Sequence, residues 1–246
     1  TSNWLDVDYQ VGLIYDNQHR ELPSMVKKDG IYYLFSSEAA GWYPSIPMYS
    51  TATNLAGPWS ELRTIGNTTT FSAQSGSVFR LKEAGGNNVV MVAYRWMFGW
   101  AGVQNGVTEQ RLLPIFFSNG YAFYEYFDQV LYNVANDHVI PVQNGRLLSQ
   151  GKPAVAQSAA SQYPAGYAND GDYQTEWVGS SATWPHWWRV DLGSVQSIRN
   201  VQISWHIVRG SDAYHQYRIE TSNDNVNWTV AADRMNNRSY GFTSDT

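Results

Sequence analysis

The sequence contains no cysteine, which excludes disulfides, thiolate metal centres and a cysteine nucleophile. Charge is also sparse. There are 16 Lys+Arg and 21 Asp+Glu among 246 residues, a net charge of −5. No basic cluster occurs, so a nucleic-acid partner, which needs a positive surface to displace counterions, is not expected. No apolar run approaches the ~18 residues of a membrane-spanning helix, so no membrane insertion is expected. No segment holds a 3.6-residue apolar period, which argues against long helices. A charged and apolar leader is missing as well: the chain starts Thr1-Ser2-Asn3-Trp4, which reads as a processed or cloned start.

What the sequence has in quantity is aromatic rings. Phe, Trp and Tyr make up 15% of residues, with 11 Trp and 17 Tyr. Aromatics favour strands and dominate cores. They also suit sugar binding, because the apolar face of a pyranose stacks on a ring. Three Asn-x-Ser/Thr triplets, at Asn67, Asn227 and Asn237, and the polar, Asn- and Ser-rich composition point to an extracellular, secreted protein.

Short runs of Val, Ile, Tyr and Phe separated by Gly, Asn and Pro predict an all-β chain. Lys28-Asp29-Gly30 reads as a hairpin turn before a strand over 31–35. Asn87-Asn88 leads into a strand over 89–94. Ser118-Asn119-Gly120 joins strands over 113–117 and 121–126. The composition shifts near residue 150, where Ser149-Gln150-Gly151-Lys152-Pro153 opens a small-residue stretch. This predicts two domains, 1–150 and 151–246.

The first part carries a weak internal repeat. Glu21-Leu22-Pro23-Ser24-Met25-Val26-Lys27 aligns with Gln74-Ser75-Gly76-Ser77-Val78-Phe79-Arg80, an offset of 53 residues. That is near the ~50-residue blade period of kelch-type propellers. As two blades, the repeat would place Glu21 and Gln74 at the starts of inner strands, facing one cavity. An inward Glu suggests glycoside hydrolysis, which needs a proton donor for the leaving oxygen. Pro23 is expected to hold Leu22 extended. Glu21 beside Arg20 reads equally well as a structural salt bridge.

Arg20-Glu21-Leu22-Pro23-Ser24-Met25-Val26-Lys27 followed by Gly30-Ile31-Tyr32-Tyr33-Leu34 resembles the third-blade motif of glycoside hydrolase family 43. The exo-β-1,3-galactanase-like subgroup is the nearest in pattern. Further similar segments are Gly41-Trp42 with Pro44, Ser50-Thr51-Ala52, Gly57-Pro58-Trp59, Thr70-Phe71-Ser72-Ala73-Gln74-Ser75, Arg95-Trp96 and Arg111-Leu112-Leu113-Pro114. The resemblance implies an inverting hydrolase acting on galactan, with Glu21 as general acid and Gln74 near the attacking water. Inverting enzymes separate their two catalytic groups by ~6.5–9.5 Å, so a gap of that order is expected between these two. The resemblance also implies substrate contacts from Arg20, Trp42, Arg95 and Trp96. Tyr94 departs from it, standing where an Asp is expected. The family fold has five blades, and the first two are expected to precede residue 1. The chain therefore reads as a partial propeller, expected to be inactive on its own.

Residues 154–246 carry a denser pattern: Ala168-Asn169-Asp170-Gly171-Asp172, Thr175-Glu176-Trp177, Trp187-Trp188-Arg189-Val190-Asp191-Leu192-Gly193, Tyr217-Arg218-Ile219-Glu220-Thr221-Ser222-Asn223-Asp224 and Asn227-Trp228-Thr229. It resembles the discoidin or coagulation-factor type C domain, carbohydrate-binding module family 32. The resemblance implies an eight-stranded jelly-roll β-sandwich, read here as truncated, and a structural Ca²⁺ loop with Tyr167, Asp170, Asp172 and Thr175 as ligands. Sugar-contact candidates are Trp184, His186, His206 and Arg209. Together these readings give a secreted glycosidase bound to galactose-containing polysaccharide. The alternative is a non-catalytic binding or adhesion protein that keeps a propeller remnant.

Overall fold

The computed structural model describes residues 10–12, 14, 18–81, 88–96, 108–133, 135, 138–143, 145–207 and 213–246. Among them the chain is all-β apart from one four-residue 3₁₀ turn, Ala165–Ala168. It divides into two compact units, Thr1–Val142 and Gln143–Thr246.

In the first unit, β1 (Arg20–Lys28), β2 (Ile31–Glu38), β3 (Pro47–Ala52) and β4 (Arg63–Thr64) form one antiparallel four-stranded sheet in chain order. The turn between β1 and β2 is Asp29-Gly30, both at positive φ (49° and 82°), which matches the twist of a two-residue hairpin. β5 (Gln74–Arg80), β6 (Val89–Trp96) and β7 (Thr108–Pro114) form a second antiparallel sheet. The two sheets repeat one plan, with Glu21 and Gln74 near the starts of their first strands. Those strands run side by side: the Ser24 hydroxyl accepts from the Val78 N–H at 2.7 Å, and Arg80 Nη1 donates to the Lys27 carbonyl at 3.0 Å. The 53-residue repeat is therefore two neighbouring blades.

Two short hairpins follow. β8 (Phe116–Ser118) pairs with β9 (Tyr121–Phe123) across Asn119-Gly120, and β10 (Gln129–Asn133) pairs with β11 (His138–Val142). The strand expected over 113–117 is broken at Ile115. Pro114 ends β7, and the Ile115 N–H bonds back to the Val89 carbonyl at 2.9 Å. The aromatics are divided between core and surface. Tyr33, Phe35 and Tyr49 pack together in the first blade, and Phe71 packs on Tyr124 and Tyr126. Trp42 and Trp184 stay exposed.

The second unit has six described strands in three antiparallel pairs. β12 (Ala154–Ala156) pairs with β13 (Trp188–Val190), and β14 (Val201–Ser204) with β17 (Phe242–Asp245). β15 (Tyr217–Thr221) pairs with β16 (Thr229–Arg234). Asp245 ties two of these pairs together. Its buried carboxylate accepts from Tyr217 Oη at 2.7 Å and from Arg234 Nε. Burial pushes the Tyr217 phenol up to about 12. The three sequons differ in exposure. Asn67 is buried with its amide used in a turn, whereas Asn227 is exposed.

Candidate functional site

Two bulges aim the site. Between Glu21 and Ser24 the β1–β2 register shifts, so Leu22 and Pro23 together oppose Ser36. Leu22 sits at φ 50°, in the left-handed region, which corrects the extended conformation expected before Pro23. Proline disfavours the right-handed helical region for the preceding residue but leaves this kinked alternative, and the bulge uses it. The second bulge lies between Ser75 and Val78. There Gly76 has no room for a Cβ, which would collide with the Tyr94 ring and the Val92 carbonyl oxygen. Just before it, Thr70, Phe71 and Ser72 form a left-handed turn (φ 48°, 51° and 66°) that delivers Gln74 to its strand.

The bulges bring Glu21 and Gln74 into direct contact. Gln74 Nε2 donates to Glu21 Oε2 at 2.8 Å and to Ser37 Oγ at 3.0 Å. Trp96 Nε1 donates to Gln74 Oε1 at 2.9 Å. The 2.8 Å contact corrects the expected gap: the two groups stand side by side, not across the width of a sugar and a water. Gln74 is buried and Glu21 is exposed. Trp96 stacks on Tyr94 (centroids 6.0 Å apart, 26°) and on Trp42 (5.8 Å, 24°), giving a continuous aromatic face beside the Glu21–Gln74 pair.

Arg20 and Arg95 are placed elsewhere. Arg20 donates to Ser36 Oγ (3.0 Å), the Ser36 carbonyl (2.7 Å) and the Ile46 carbonyl (3.1 Å). Glu21 is its neighbour in the strand and faces the other side, where Gln74 and Ser37 lie. Arg20 thus ties β1 to Ser36 and to the Ile46 carbonyl before β3. Arg95 pairs with Glu109 at 2.9 Å, on the face of β6 opposite Trp96. On that same face Arg111 lies over the Tyr126 ring at 5.2 Å, its guanidinium pulled down by burial and by Arg95. Ser37, fully buried and central to the site, was not among the sequence candidates; its only signal is its register opposite Glu21.

In the second unit, Trp184 is 70% exposed and meets His186 edge-on at 5.1 Å. Trp184 also meets His215 at 6.4 Å, and His215 lies flat on Trp205 (4.4 Å, 8°). His206 Nδ1 contacts Glu176 Oε2 at 2.8 Å. His215, Trp205 and Glu176 therefore extend the set of candidates, while Arg209 lies outside the described residues. The pairing of a stacking ring with polar groups is what orients a sugar.

Burial, reinforced by His206, pushes the His215 imidazole down. An unfolded chain then takes up the His215 proton more readily than the folded one. Stability is expected to fall as pH drops below ~6.5, the unfolded histidine value. A thermal melt between pH 7 and pH 5 should show this fall, and His215→Phe, which keeps the ring stack, should flatten it.

The loop after the 3₁₀ turn closes on itself. Asp170 accepts from Asp172 N at 2.9 Å and from Thr175 Oγ1 at 2.7 Å, and Asp172 accepts from Gln174 N at 2.8 Å. Asp170 and Thr175 thus meet directly, whereas the Asp172 carboxylate is turned to the Gln174 N–H and only its backbone approaches them. Tyr167 lies in the 3₁₀ turn that leads into this loop. Asn169 anchors the loop through Ser149 and Lys152 carbonyls, at 2.6 and 2.9 Å.

The profile of the F5/F8 type C family, described as a NedA-like, galactose-binding domain, matches residues 167–246. No curated protein sequence matches the chain. Among solved structures, an exo-β-1,3-galactanase from Clostridium thermocellum is 19% identical with a TM-score of 0.55, over 96% of this chain and 54% of that one. An exo-β-1,3-galactanase from Phanerochaete chrysosporium, solved with β-1,3-galactotriose, is 24% identical with a TM-score of 0.50, over 67% of this chain and 38% of that one. The same enzyme solved with galactose gives 24% identity and a TM-score of 0.50, over 66% and 37%. The chain thus spans between 37% and 54% of the length of these structures. At these identities the likeness shows the fold: an all-β chain of propeller blades followed by a β-sandwich.

Proposed function

We propose that the protein is a glycoside hydrolase acting on β-1,3-linked galactan, with Glu21 as the proton donor. The observation that carries this reading is the exposed Glu21 carboxylate, held by Gln74 at 2.8 Å beside the Trp42–Trp96–Tyr94 rings. A carboxyl next to an aromatic face can protonate a leaving oxygen while the sugar stacks on the rings. The galactanase neighbours and the galactose-binding description of the second unit support galactose-containing saccharide as substrate and ligand. In the second unit, Trp184, His186 and His215 with the His206–Glu176 pair would hold that sugar. Extracellular action is proposed from composition and substrate size. The inverting course rests on the resemblance to family 43 and not on the Glu21–Gln74 spacing. Release of galactose from a β-1,3-linked galactan by the protein that carries this chain tests the reading. Binding without release favours the alternative of a non-catalytic binding or adhesion protein, for which the direct Glu21–Gln74 contact speaks.

We further propose that Asp170, Asp172, Thr175 and the Tyr167 carbonyl bind a structural Ca²⁺. The ion would replace the loop's internal hydrogen bonds with cation contacts and stiffen it. Millimolar Ca²⁺ is expected to raise the melting temperature, and Asp170→Ala should abolish the rise. An unchanged melt in Ca²⁺ and chelator would leave the segment as a simple turn.

A further inference from the structure

We propose that Trp96 and Ser37 are positioning residues that lock the Gln74 carboxamide in one orientation, and thereby fix which oxygen of Glu21 carries the proton for the leaving group. This rests on the reading of Glu21 as proton donor. An indole N–H only donates, and Trp96 Nε1 lies 2.9 Å from one end of the amide. That end must be the carbonyl oxygen. The other end then presents NH₂, with one hydrogen on Glu21 Oε2 (2.8 Å) and one on Ser37 Oγ (3.0 Å). The Ser37 hydroxyl is free to accept there because its own proton points to the Glu21 main-chain carbonyl at 3.4 Å. Reversing the amide would set two N–H donors against each other at Trp96 and two acceptors against each other at Glu21.

Gln74 and Ser37 are 3% and 0% exposed, so water does not replace a lost partner readily. The stack with Tyr94 and Trp42 holds the indole in place. A proton on Glu21 Oε2 would compete with the Gln74 N–H for the same oxygen. A proton on Oε1 does not, because the amide N–H bonds the other oxygen. In the reaction, the Oε1 proton moves to the glycosidic oxygen. The anomeric C–O bond breaks with its electron pair going to that oxygen, and a water oxygen bonds to the anomeric carbon. The proton that water sheds returns through solvent to Glu21.

The test compares Trp96→Phe, which keeps a ring but removes the donor, with Ser37→Ala and Glu21→Gln. Two substrates are used: a β-1,3-linked galactan oligosaccharide, which needs the acid, and a dinitrophenyl β-galactoside, which does not. Trp96→Phe and Ser37→Ala should lose roughly 10-fold more kcat on the oligosaccharide than on the aryl substrate, a part of the ~10²–10⁴-fold that a general acid supplies. Independently of turnover, hydrogen exchange of the Gln74 side-chain amide, read by NMR on the labelled chain, should speed up in Trp96→Phe. Equal losses on both substrates, or exchange unchanged from wild type, would overturn the lock. A wild-type oligosaccharide rate in Glu21→Gln would instead overturn the proton-donor reading and the oxygen assignment, while exchange still decides the lock.

Discussion

Replacement of Glu21 by glutamine is expected to lower turnover by ~10²–10⁴-fold on galactan, the contribution of a general acid. Glutamine keeps the size of the side chain but has no acidic proton. It also meets the Gln74 N–H, now 2.8 Å from a carboxylate oxygen, with an amide that can offer its carbonyl to that contact. The blade should therefore stay folded, and KM should move little. The loss should shrink on substrates whose leaving group departs without protonation. A uniform loss with a lowered melting temperature would indicate damage to the fold and not loss of an acid. A wild-type rate would remove Glu21 from the chemistry.

Asn67→Ala is expected to destabilise the first unit strongly. Asn67 is 2% exposed, and its Oδ1 accepts from Phe71 N at 2.7 Å and Thr69 N at 3.4 Å. These bonds hold the turn in which Thr70, Phe71 and Ser72 are all left-handed, a conformation costing ~1–2 kcal/mol per residue for side-chain-bearing residues. Thr70 Oγ1 helps by donating to the Ser45 carbonyl at 2.9 Å. Removing the Asn67 acceptor takes away a buried partner, at ~1–3 kcal/mol for each donor left unsatisfied. A total near 2–3 kcal/mol is expected, roughly 5–10 °C in melting temperature for a unit of this size. Gln74 follows the turn after one residue, Ala73, so its side-chain amide should also exchange faster. Asn67→Asp keeps an acceptor and should retain more stability than alanine. A melting temperature equal to wild type in Asn67→Ala would show that the turn holds itself.

Parts of this architecture are legible in the sequence for local reasons. Asp29-Gly30 and Asn119-Gly120 mark two-residue hairpins because both positions need positive φ, and the structure has it at both. The repeat of Glu21 and Gln74 is legible because β1 and β5 begin equivalent blades and share spacing. The opposite placement of Arg95 and Trp96 was open to the same reasoning, since adjacent strand residues face opposite sides. Other features are not local. Leu22 is left-handed because of how the bulge fits its neighbours, and Pro23 alone suggests an extended residue. Ser37 enters the site only through cross-strand register with Glu21. His215 enters the second-unit cluster only because Trp205 lies flat against it at 4.4 Å. A polar triplet such as Asn67-Thr68-Thr69 reads as a surface sequon, but its amide is needed inside the turn that delivers Gln74.

The proposed role of Glu21 is hydrolysis of a β-1,3-linked galactan at the junction of two blades. Its most direct test is a proton NMR time course of galactan digestion by the protein that carries this chain, run in parallel for wild type and Glu21→Gln. The account predicts that galactose appears first as the α-anomer with wild type, and ~10²–10⁴-fold more slowly with Glu21→Gln. Equal rates in the two proteins would contradict it, and galactose appearing first as the β-anomer would overturn the inverting course.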